Sequence, residues 1–271
     1  HGTSRRQRQM CIRDSIDGAA EDETTYQRNT EAFHDVDLVP NVLAGVENID
    51  MSVKVMGYEL GLPIFCSPTA LQRLFHHQGE RAVAKAAEKF NTLFGVSSLG
   101  TVKLKDIDEM INTPKMFQFY FHKDRGLNDS MIVMAKEANF EILTLTVDTI
   151  TGGNRERDLR TGFTTPPKLT PKSIFQFGIK PAWALNYLFR EKFELSQLSS
   201  HVNEGTNIAI SVGDYFTTML DQSMTWDEVI KLKENWGRKF CLKGIMSPGD
   251  ARKAVELSLI HISEPTRLRT I

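Results

Sequence analysis

The chain has 271 residues, of which 41% are hydrophobic and 25% are charged, and its formal net charge is −1. This balance of charge argues against a nucleic-acid-binding protein, and the length suits one α/β barrel or two small domains. The cysteines Cys11, Cys66 and Cys241 show neither a disulfide framework nor metal-ligand spacing, which favours a reducing, cytoplasmic compartment and no metal site. No apolar run reaches the length of about 18 residues that a membrane span needs.

Both ends of the chain resemble translated sequencing adapters. Residues 5–15 read RRQRQMCIRDS and residues 257–267 read LSLIHISEPTR, and the helical pattern that begins at Gly249 is lost at the second junction. We therefore expect residues 1–15 and 257–271 to be non-native segments on either side of a domain formed by residues 16–256. The alternative is a natural basic arm and a natural tail.

Strand and helix patterns alternate along the interior of the chain. A packed N-terminal helical extension, not a separate domain, is predicted over residues 17–43, and a short hairpin is predicted over residues 51–60. Regular alternation then predicts an α/β fold, which we interpret as a partial TIM (β/α)8 barrel containing about the first five βα units. The predicted strands cover residues 64–66, 92–96, 116–121, 142–147 and 240–245, and the predicted helices cover 78–90, 104–111, 129–138, 225–232 and a last one opened by 247–250.

A long insertion separates the fourth and fifth predicted units, from Thr161 to Asp221. Its middle part, residues 172–192, interleaves aromatic and apolar side chains with lysine and arginine. Three interpretations stand: a helix packed on the barrel surface, a lid over the active-site face, or a peripheral contact with a membrane surface.

The stretch from Glu141 to Phe163 shows the strongest local signal. A buried strand delivers Asp148 to its carboxyl end and continues into a loop that contains Arg155. In α/β barrels this end of the strands carries the chemistry, although a core strand that ends in a solvated turn would give the same pattern. Further polar residues lie in or directly after the predicted strands, toward their carboxyl ends: Ser67, Thr69, Ser97, Ser98, Gln118, Tyr120, Thr146 and Lys243.

With these motifs the chain resembles the FMN-dependent 2-hydroxy acid dehydrogenase and oxidase family, which includes glycolate oxidases and L-lactate dehydrogenases. The resemblance covers about residues 17–256. It is carried by Ser67-Pro68-Thr69-Ala70-Leu71-Gln72 with His76 and Gly79-Glu80, by Gln118-Phe119-Tyr120, by Thr146-Val147-Asp148-Thr149 with Gly153-Asn154-Arg155 and Asp158, and by Leu242-Lys243-Gly244 with Asp250-Ala251. Pro181-Ala182-Trp183-Ala184 in the insertion is more similar to the lactate dehydrogenase branch.

The resemblance implies FMN as the cofactor and a set of residues that would hold it. A cation beside the pyrimidine end of the flavin would stabilise the negative charge of the reduced ring, and Lys243 would supply it. The alternative for Lys243 is a lysine that extends to solvent. The implied cofactor-binding residues are Pro68, Thr69, Ala70, Ser97, Gln118, Thr146 and Lys243.

The resemblance also implies Asp148, Tyr120 and Lys243 as catalytic residues and Tyr120 and Arg155 as substrate-binding residues. Tyr120 would hydrogen-bond the oxygen on the carbon that is oxidised, Arg155 would bind the substrate carboxylate, and Asp148 would orient a catalytic histidine. The alternatives are a core tyrosine for Tyr120 and a surface arginine for Arg155.

Several parts of the family's site have no match in this sequence. The catalytic histidine and a second carboxylate-binding arginine follow the sixth strand of the family's barrel, and the phosphate site follows strands seven and eight. His261 lies in the adapter-like tail, and Ser15 stands where the family has a substrate-binding tyrosine. His76, His77, His122 and His201 are interpreted as surface or structural residues, so we expect the chain as written to be inactive.

The sequence therefore predicts oxidation of an L-2-hydroxy acid, first of all L-lactate, to the 2-oxo acid by an FMN enzyme of which this chain is a fragment. The electron acceptor is left open between oxygen, a quinone and a cytochrome, and the resemblance implies a homo-oligomeric parent enzyme. One alternative is another FMN-binding barrel of the isopentenyl-diphosphate isomerase type. The other is a non-catalytic, decayed barrel that acts as a binding protein.

Overall fold

A hairpin and a parallel sheet form the framework of the computed structural model, which describes residues 18–149, 152–161, 185–186, 189–191, 194–198, 218–257 and 259–262. The antiparallel hairpin consists of β1 (Val53–Val55) and β2 (Tyr58–Leu60). The parallel sheet has the order β3-β4-β5-β6-β7-β8, so sequential strands are neighbours. Its strands are β3 (Cys66–Thr69), β4 (Phe94–Ser97), β5 (Lys115–Tyr120), β6 (Ile142–Thr146), β7 (Lys239–Lys243) and β8 (Ile260–Ile262).

Helices separate the strands of the sheet, as expected for parallel connections. The described helices are α1 (Thr24–Glu31), followed by a 3-10 turn (Ala32–Asp35), α2 (Gln72–Phe75), α3 (Glu80–Lys89), α4 (Leu104–Asp108), α5 (Arg125–Glu137), α6 (Glu156–Thr161), α7 (Trp226–Trp236) and α8 (Pro248–Glu256). Local sequence sets several of their ends. The Asp124 carboxylate accepts the Leu127 N–H at the start of α5, and the Ser247 hydroxyl accepts the Asp250 N–H at the start of α8. Gly237 ends α7 in the left-handed conformation.

The two faces of the sheet differ because successive side chains of a strand point to opposite faces. One face is apolar and packs in the main core with residues of the helices; it carries Phe94, Val96, Phe117, Phe119, Leu143, Leu145, Phe240 and Leu242. On the other face, Met116, Ile142 and Cys241 form a smaller apolar cluster with side chains of the β1–β2 hairpin. The hairpin therefore covers the amino-terminal end of this second face and leaves the carboxyl end for polar residues.

The structure confirms an α/β fold with a parallel sheet, but it corrects the number of strands. The sequence predicts five, whereas β8 adds a sixth within residues 257–271, the segment expected to be non-native. β8 has three residues, too few to show a periodic pattern, and its pairing with β7 identifies it. The prediction of a partial eight-stranded barrel stays a prediction.

The N-terminal extension contains the expected helix, but it is not packed as predicted. α1 has no buried residue, and Phe33, Leu38 and Leu43 beyond it are 79%, 93% and 101% exposed. The apolar residues of this segment therefore do not join the two cores of the described protein.

Most of the predicted insertion lies outside the described residues. Within its middle part, only residues 185–186 and 189–191 are described, and Leu185 and Phe189 are 54% and 80% exposed. Glu191 forms an ion pair of 2.9 Å with Arg81, which connects this part of the insertion to α3. Among the helices of the described ranges, none combines the length and the apolar character needed to cross a bilayer.

Candidate active site

A buried run of hydrogen bonds crosses three neighbouring strands at their carboxyl ends. The Ser97 hydroxyl donates to Oε1 of Gln118 over 3.2 Å, and Nε2 of Gln118 donates to the Thr146 hydroxyl over 2.8 Å. All three residues are at most 5% exposed. The three side chains meet because β4, β5 and β6 are parallel and in register, with Ser97 opposite Gln118. We call Ser97, Gln118 and Thr146 the polar run.

Tyr120 and Lys243 flank the polar run. Tyr120 on β5 and Lys243 on β7 are the register partners of Thr146 on its two sides. Both side chains are half-buried. The two-residue period places them on the same face as Gln118 and Cys241 respectively, so a phenol and an ammonium group lie at the same end of that face.

Asp148 lies immediately beyond the polar run, against the backbone that follows β7. The Val147 N–H donates to the Lys243 carbonyl over 2.9 Å, which brings the residue after it close to Gly244. Gly244 has a φ of +100°, and a Cβ added to it would lie 2.7 Å from Oδ2 of Asp148. The exposed Asp148 carboxylate also accepts a hydrogen bond of 3.1 Å from the Thr149 hydroxyl. Position 244 therefore needs a glycine, because its φ is positive and because a side chain there would overlap Asp148.

Pro68 and Thr69 are the last residues of β3, the strand that pairs with β4, and Ala70 follows them directly. A Cβ added to Gly95 would lie 2.7 Å from Cδ of Pro68, so the missing side chain of Gly95 allows β3 to approach β4. The Thr69 hydroxyl accepts a hydrogen bond of 2.6 Å from Gln72. The three predicted residues of β3 thus border the strand that carries Ser97.

Arg155 lies in the loop between β6 and α6, and its guanidinium contacts the N-terminal extension. Nη2 of Arg155 donates to the Gly18 carbonyl over 3.0 Å, across 137 positions of sequence. The side chain is half-buried. The Arg155 guanidinium is therefore held by a long-range contact with the N-terminal extension, and its role in substrate binding stays a prediction.

The polar groups of this face fit the hydrogen-bonding edge of a flavin ring. The pyrimidine end of an isoalloxazine carries carbonyl oxygens, ring nitrogens and an N–H group, which match hydroxyls, an amide and a cation. Within the described part of the chain, the buried hydroxyls of Ser98 and Thr144 have no hydrogen-bond partner. Thr144 is the register partner of Gln118, so unsatisfied polar atoms border the polar run. The predicted FMN-binding residues are thus consistent with the group they would hold.

Sequence reasoning missed two residues that shape this face. Thr144 shares a face with Thr146, and the alternation in Leu-Thr-Leu-Thr could have identified it. Gly244 was quoted in a motif, but its contact with Asp148 depends on the pairing of β6 with β7.

The histidines that the structure describes do not join the polar run. His122 is fully buried and hydrogen-bonds Asn128 through both its backbone N–H and Nδ1, in agreement with a structural role. Burial lowers the pKa of His122, against the opposing effects of Asn128 and Asp124. His201 and the side chains of Asp158 and His261 lie outside the described residues. The described ranges contain no group of acidic, histidine or cysteine residues that could hold a metal ion.

Known proteins resemble this chain over most of its length. The model of the FMN-dependent dehydrogenase family matches residues 4–263. L-lactate dehydrogenase of Pseudomonas syringae is 32% identical over 243 residues, which are 89% of this chain and 63% of that protein. Glycolate oxidase 1 of Oryza sativa is 31% identical over 244 residues, which are 90% of this chain and 60% of that protein. The chain thus spans about three fifths of the length of the curated relatives it matches.

The solved structures similar to this chain share its fold. The crystal structure of (S)-mandelate dehydrogenase, described as a monotopic membrane protein, superposes with a TM-score of 0.86 and 24% identity. The superposed region covers 94% of this chain and 68% of the (S)-mandelate dehydrogenase chain. The crystal structure of a mandelate oxidase superposes with a TM-score of 0.76 and 25% identity, over 95% of this chain and 64% of that one.

Proposed function

Because the chain belongs to the FMN-dependent dehydrogenase family, we propose that it forms the part of an L-2-hydroxy acid dehydrogenase or oxidase that binds the flavin ring and the substrate carboxylate. L-Lactate is the first candidate substrate, and the product is the 2-oxo acid. The polar run, flanked in register by Tyr120 and Lys243, is the observation that carries the proposal. The parallel sheet, with helices between its strands, supports a partial (β/α)8 barrel.

The polar run and its neighbours would hold the cofactor. A bound FMN supplies the acceptor for the hydride that leaves the substrate carbon. Ser97, Gln118 and Thr146 would hydrogen-bond the polar edge of the ring, and the Lys243 ammonium would place a positive charge beside it. The backbone of Pro68, Thr69 and Ala70 would lie against the ring.

Two residues of the same end would bind the substrate. The phenol of Tyr120 would hydrogen-bond the hydroxyl oxygen on the carbon that is oxidised. The guanidinium of Arg155 would bind the carboxylate, since its fork of N–H donors matches two oxygens. This arrangement favours a 2-hydroxy acid over the substrate of an isopentenyl-diphosphate isomerase type of enzyme, which offers a diphosphate in place of a carboxylate.

Asp148 would orient and charge-stabilise a histidine that removes the hydroxyl proton. Among the side chains that the structure describes, no histidine hydrogen-bonds Asp148, whose described acceptor contact is with Thr149. We therefore propose that the chain as it stands binds ligands without turning them over.

A peripheral membrane contact is a second proposal, which concerns residues 172–192. Phe189 is 80% exposed, and the exposed Arg190 follows it directly. An exposed aromatic next to cationic side chains suits the interface of an anionic bilayer. We expect the chain to sediment with vesicles that contain phosphatidylserine and Phe189→Ser to lower the bound fraction. Equal sedimentation of the two proteins would contradict this proposal.

Oxalate provides the test of the substrate site, because it carries the carboxylate and has no hydrogen to donate as hydride. We expect oxalate to bind the full chain in the presence of FMN, and Arg155→Met to weaken that binding by about tenfold or more, the cost of a lost charge-assisted hydrogen bond. Arg160→Met, on the helix that directly follows Arg155 and ion-paired only with Glu156 among the described contacts, is the matched control. Equal oxalate affinity of the wild type and Arg155→Met would contradict the proposal. Tight binding of pyrophosphate in place of oxalate would favour the isomerase type.

A further inference from the structure

The start of the described chain is bound to the loop that carries Arg155. We call residues 18–23 the N-terminal turn and residues 152–157, which end in the first turn of α6, the arginine loop. The Glu21 N–H donates to the Asn154 carbonyl over 2.9 Å. A Cβ added to Gly153 in the arginine loop would lie 3.2 Å from the Cβ of Ala20 in the N-terminal turn. The two segments are therefore in direct contact, although more than 120 positions separate Glu21 from Asn154 in the sequence.

An ion pair closes this contact. Nη2 of Arg157 lies 2.6 Å from Oε2 of Glu23. The Glu23 side chain is 12% exposed and that of Arg157 is 46% exposed, so the pair is partly shielded from solvent at its acidic partner. The other carboxylate oxygen, Oε1 of Glu23, accepts the Ala19 N–H over 3.0 Å. Glu23 therefore holds both the arginine loop and its own turn.

The backbone of the N-terminal turn adopts a conformation that non-glycine residues seldom take. Glu21 has a φ of 53° and Glu23 a φ of 58°. Such residues are strained, and the surrounding contacts must hold them in place. The contacts with the arginine loop are of this kind, which indicates that the turn and the loop depend on each other.

We propose that Glu23 is a positioning residue that acts through Arg157 to hold Arg155 in its orientation toward the substrate carboxylate. The N-terminal turn supplies the second support of that orientation, because the Gly18 carbonyl accepts Nη2 of Arg155 over 3.0 Å. The inference rests on the proposed role of Arg155 as the carboxylate-binding residue. It assigns a substrate-site function to a part of the chain far from the sheet in sequence.

Hydrogen exchange of the full chain tests the positioning without any ligand. We expect Glu23→Gln to increase amide exchange in both the N-terminal turn and the arginine loop by about fivefold, the upper range for a part-exposed ion pair. Arg160→Gln is the matched control, since it removes the 2.5 Å ion pair between Arg160 and Glu156 within α6 and leaves Arg157 intact. The double variant Glu23→Arg with Arg157→Glu restores opposite charges but not the acceptor for the Ala19 N–H, so we expect it to restore part of the protection, mainly in the arginine loop.

Oxalate binding in the presence of FMN tests the link with the substrate site. We expect Glu23→Gln to weaken oxalate binding by about fivefold while FMN binding stays unchanged, and the charge-swapped double variant to recover affinity. A general loss of folding would instead weaken both ligands together.

The outcomes separate the inference from the proposed function. Unchanged exchange in Glu23→Gln overturns the inference, whatever oxalate does. The inference is also overturned if Glu23→Gln shows faster exchange but binds oxalate with unchanged affinity, provided that Arg155→Met weakens oxalate binding. If Arg155→Met and the wild type bind oxalate alike, the proposed function fails, and the inference fails with it, because Arg155 then has no carboxylate to be positioned for.

Discussion

Asp148 packs against the backbone of Gly244, so the carboxylate at the end of β6 is placed by the residue that follows β7. Oδ2 of Asp148 would lie 2.7 Å from a Cβ at Gly244, and Gly244 has a φ of +100°. The pairing of β6 with β7, in which Thr146 is opposite Lys243, sets this contact. The proposed catalytic carboxylate and the proposed flavin-binding lysine thus lie at two adjacent strand ends.

Gly244→Ala is expected to destabilise the protein by about 1–2 kcal/mol and to displace Asp148. The left-handed backbone costs a non-glycine residue about this much, and the new methyl group would overlap the aspartate side chain. Urea unfolding measures the change in the free energy of unfolding. Gly249→Ala is the control, because a Cβ there would lie 3.7 Å from Oγ of Ser247, at an ordinary contact distance within α8. A neutral Gly244→Ala would contradict the account of this contact.

Lys243→Met is expected to lower FMN affinity by about tenfold or more, since a hydrogen bond to a charged group contributes about 1.5–3 kcal/mol. Lys243→Arg keeps the positive charge and should retain more of the affinity. Quenching of flavin fluorescence on titration measures both. FMN binding to Lys243→Met with wild-type affinity would show that the cation does not contact the flavin.

Stability between pH 4 and pH 2 is expected to depend on Asp221. Hydrogen bonds from the Ser223 hydroxyl and N–H, and the contact with Arg125, lower the pKa of Asp221 from 3.8 to about 2. As the pH falls, the Asp221 carboxylate takes up a proton in the unfolded chain before it does so in the folded chain. The stabilisation of the folded chain by ionised Asp221 is therefore present above pH 3.8 and is lost as the pH falls through about 2. Asp221→Asn should therefore be less stable than the wild type at pH 5, with a difference that shrinks toward pH 2. Urea midpoints at several pH values measure this, and a constant difference would argue against it.

No bleaching of the flavin is expected when L-lactate is added to the chain with FMN under anaerobic conditions. In the proposed function Asp148 needs a histidine partner to take the hydroxyl proton, and the chain is proposed to bind ligands without turning them over. The visible spectrum near the flavin maximum records the outcome. Loss of the absorbance band with L-lactate would show that the chain turns substrate over.

The sequence predicts most of the sheet because its strands follow from local patterns, whereas the roles of the candidate site residues come from the family resemblance and stay predictions. Apolar, β-branched runs identify β6, and the two-residue period places Gln118 and Tyr120 on one face. β8 was missed because three residues carry no period, and its existence depends on pairing with β7. The contact between Arg155 and Gly18 is equally invisible in the sequence, because it joins two loops that share no pattern.

The central claim is that the polar run binds the flavin. FMN titration of two variants, in each of which a buried glutamine is replaced by leucine, tests this claim most directly. Gln118 and Gln197 are both buried, at 3% and 1% exposure, and each donates a 2.8 Å hydrogen bond from Nε2, to Thr146 and to the Val102 carbonyl respectively. Both substitutions by leucine should cost about 1–3 kcal/mol of stability, because each leaves a buried acceptor unpaired. We predict that the wild type quenches flavin fluorescence on binding, that Gln118→Leu weakens FMN binding, and that Gln197→Leu does not. Equal FMN affinity of the two variants, or no binding by the wild type, would contradict the assignment of the polar run to the flavin.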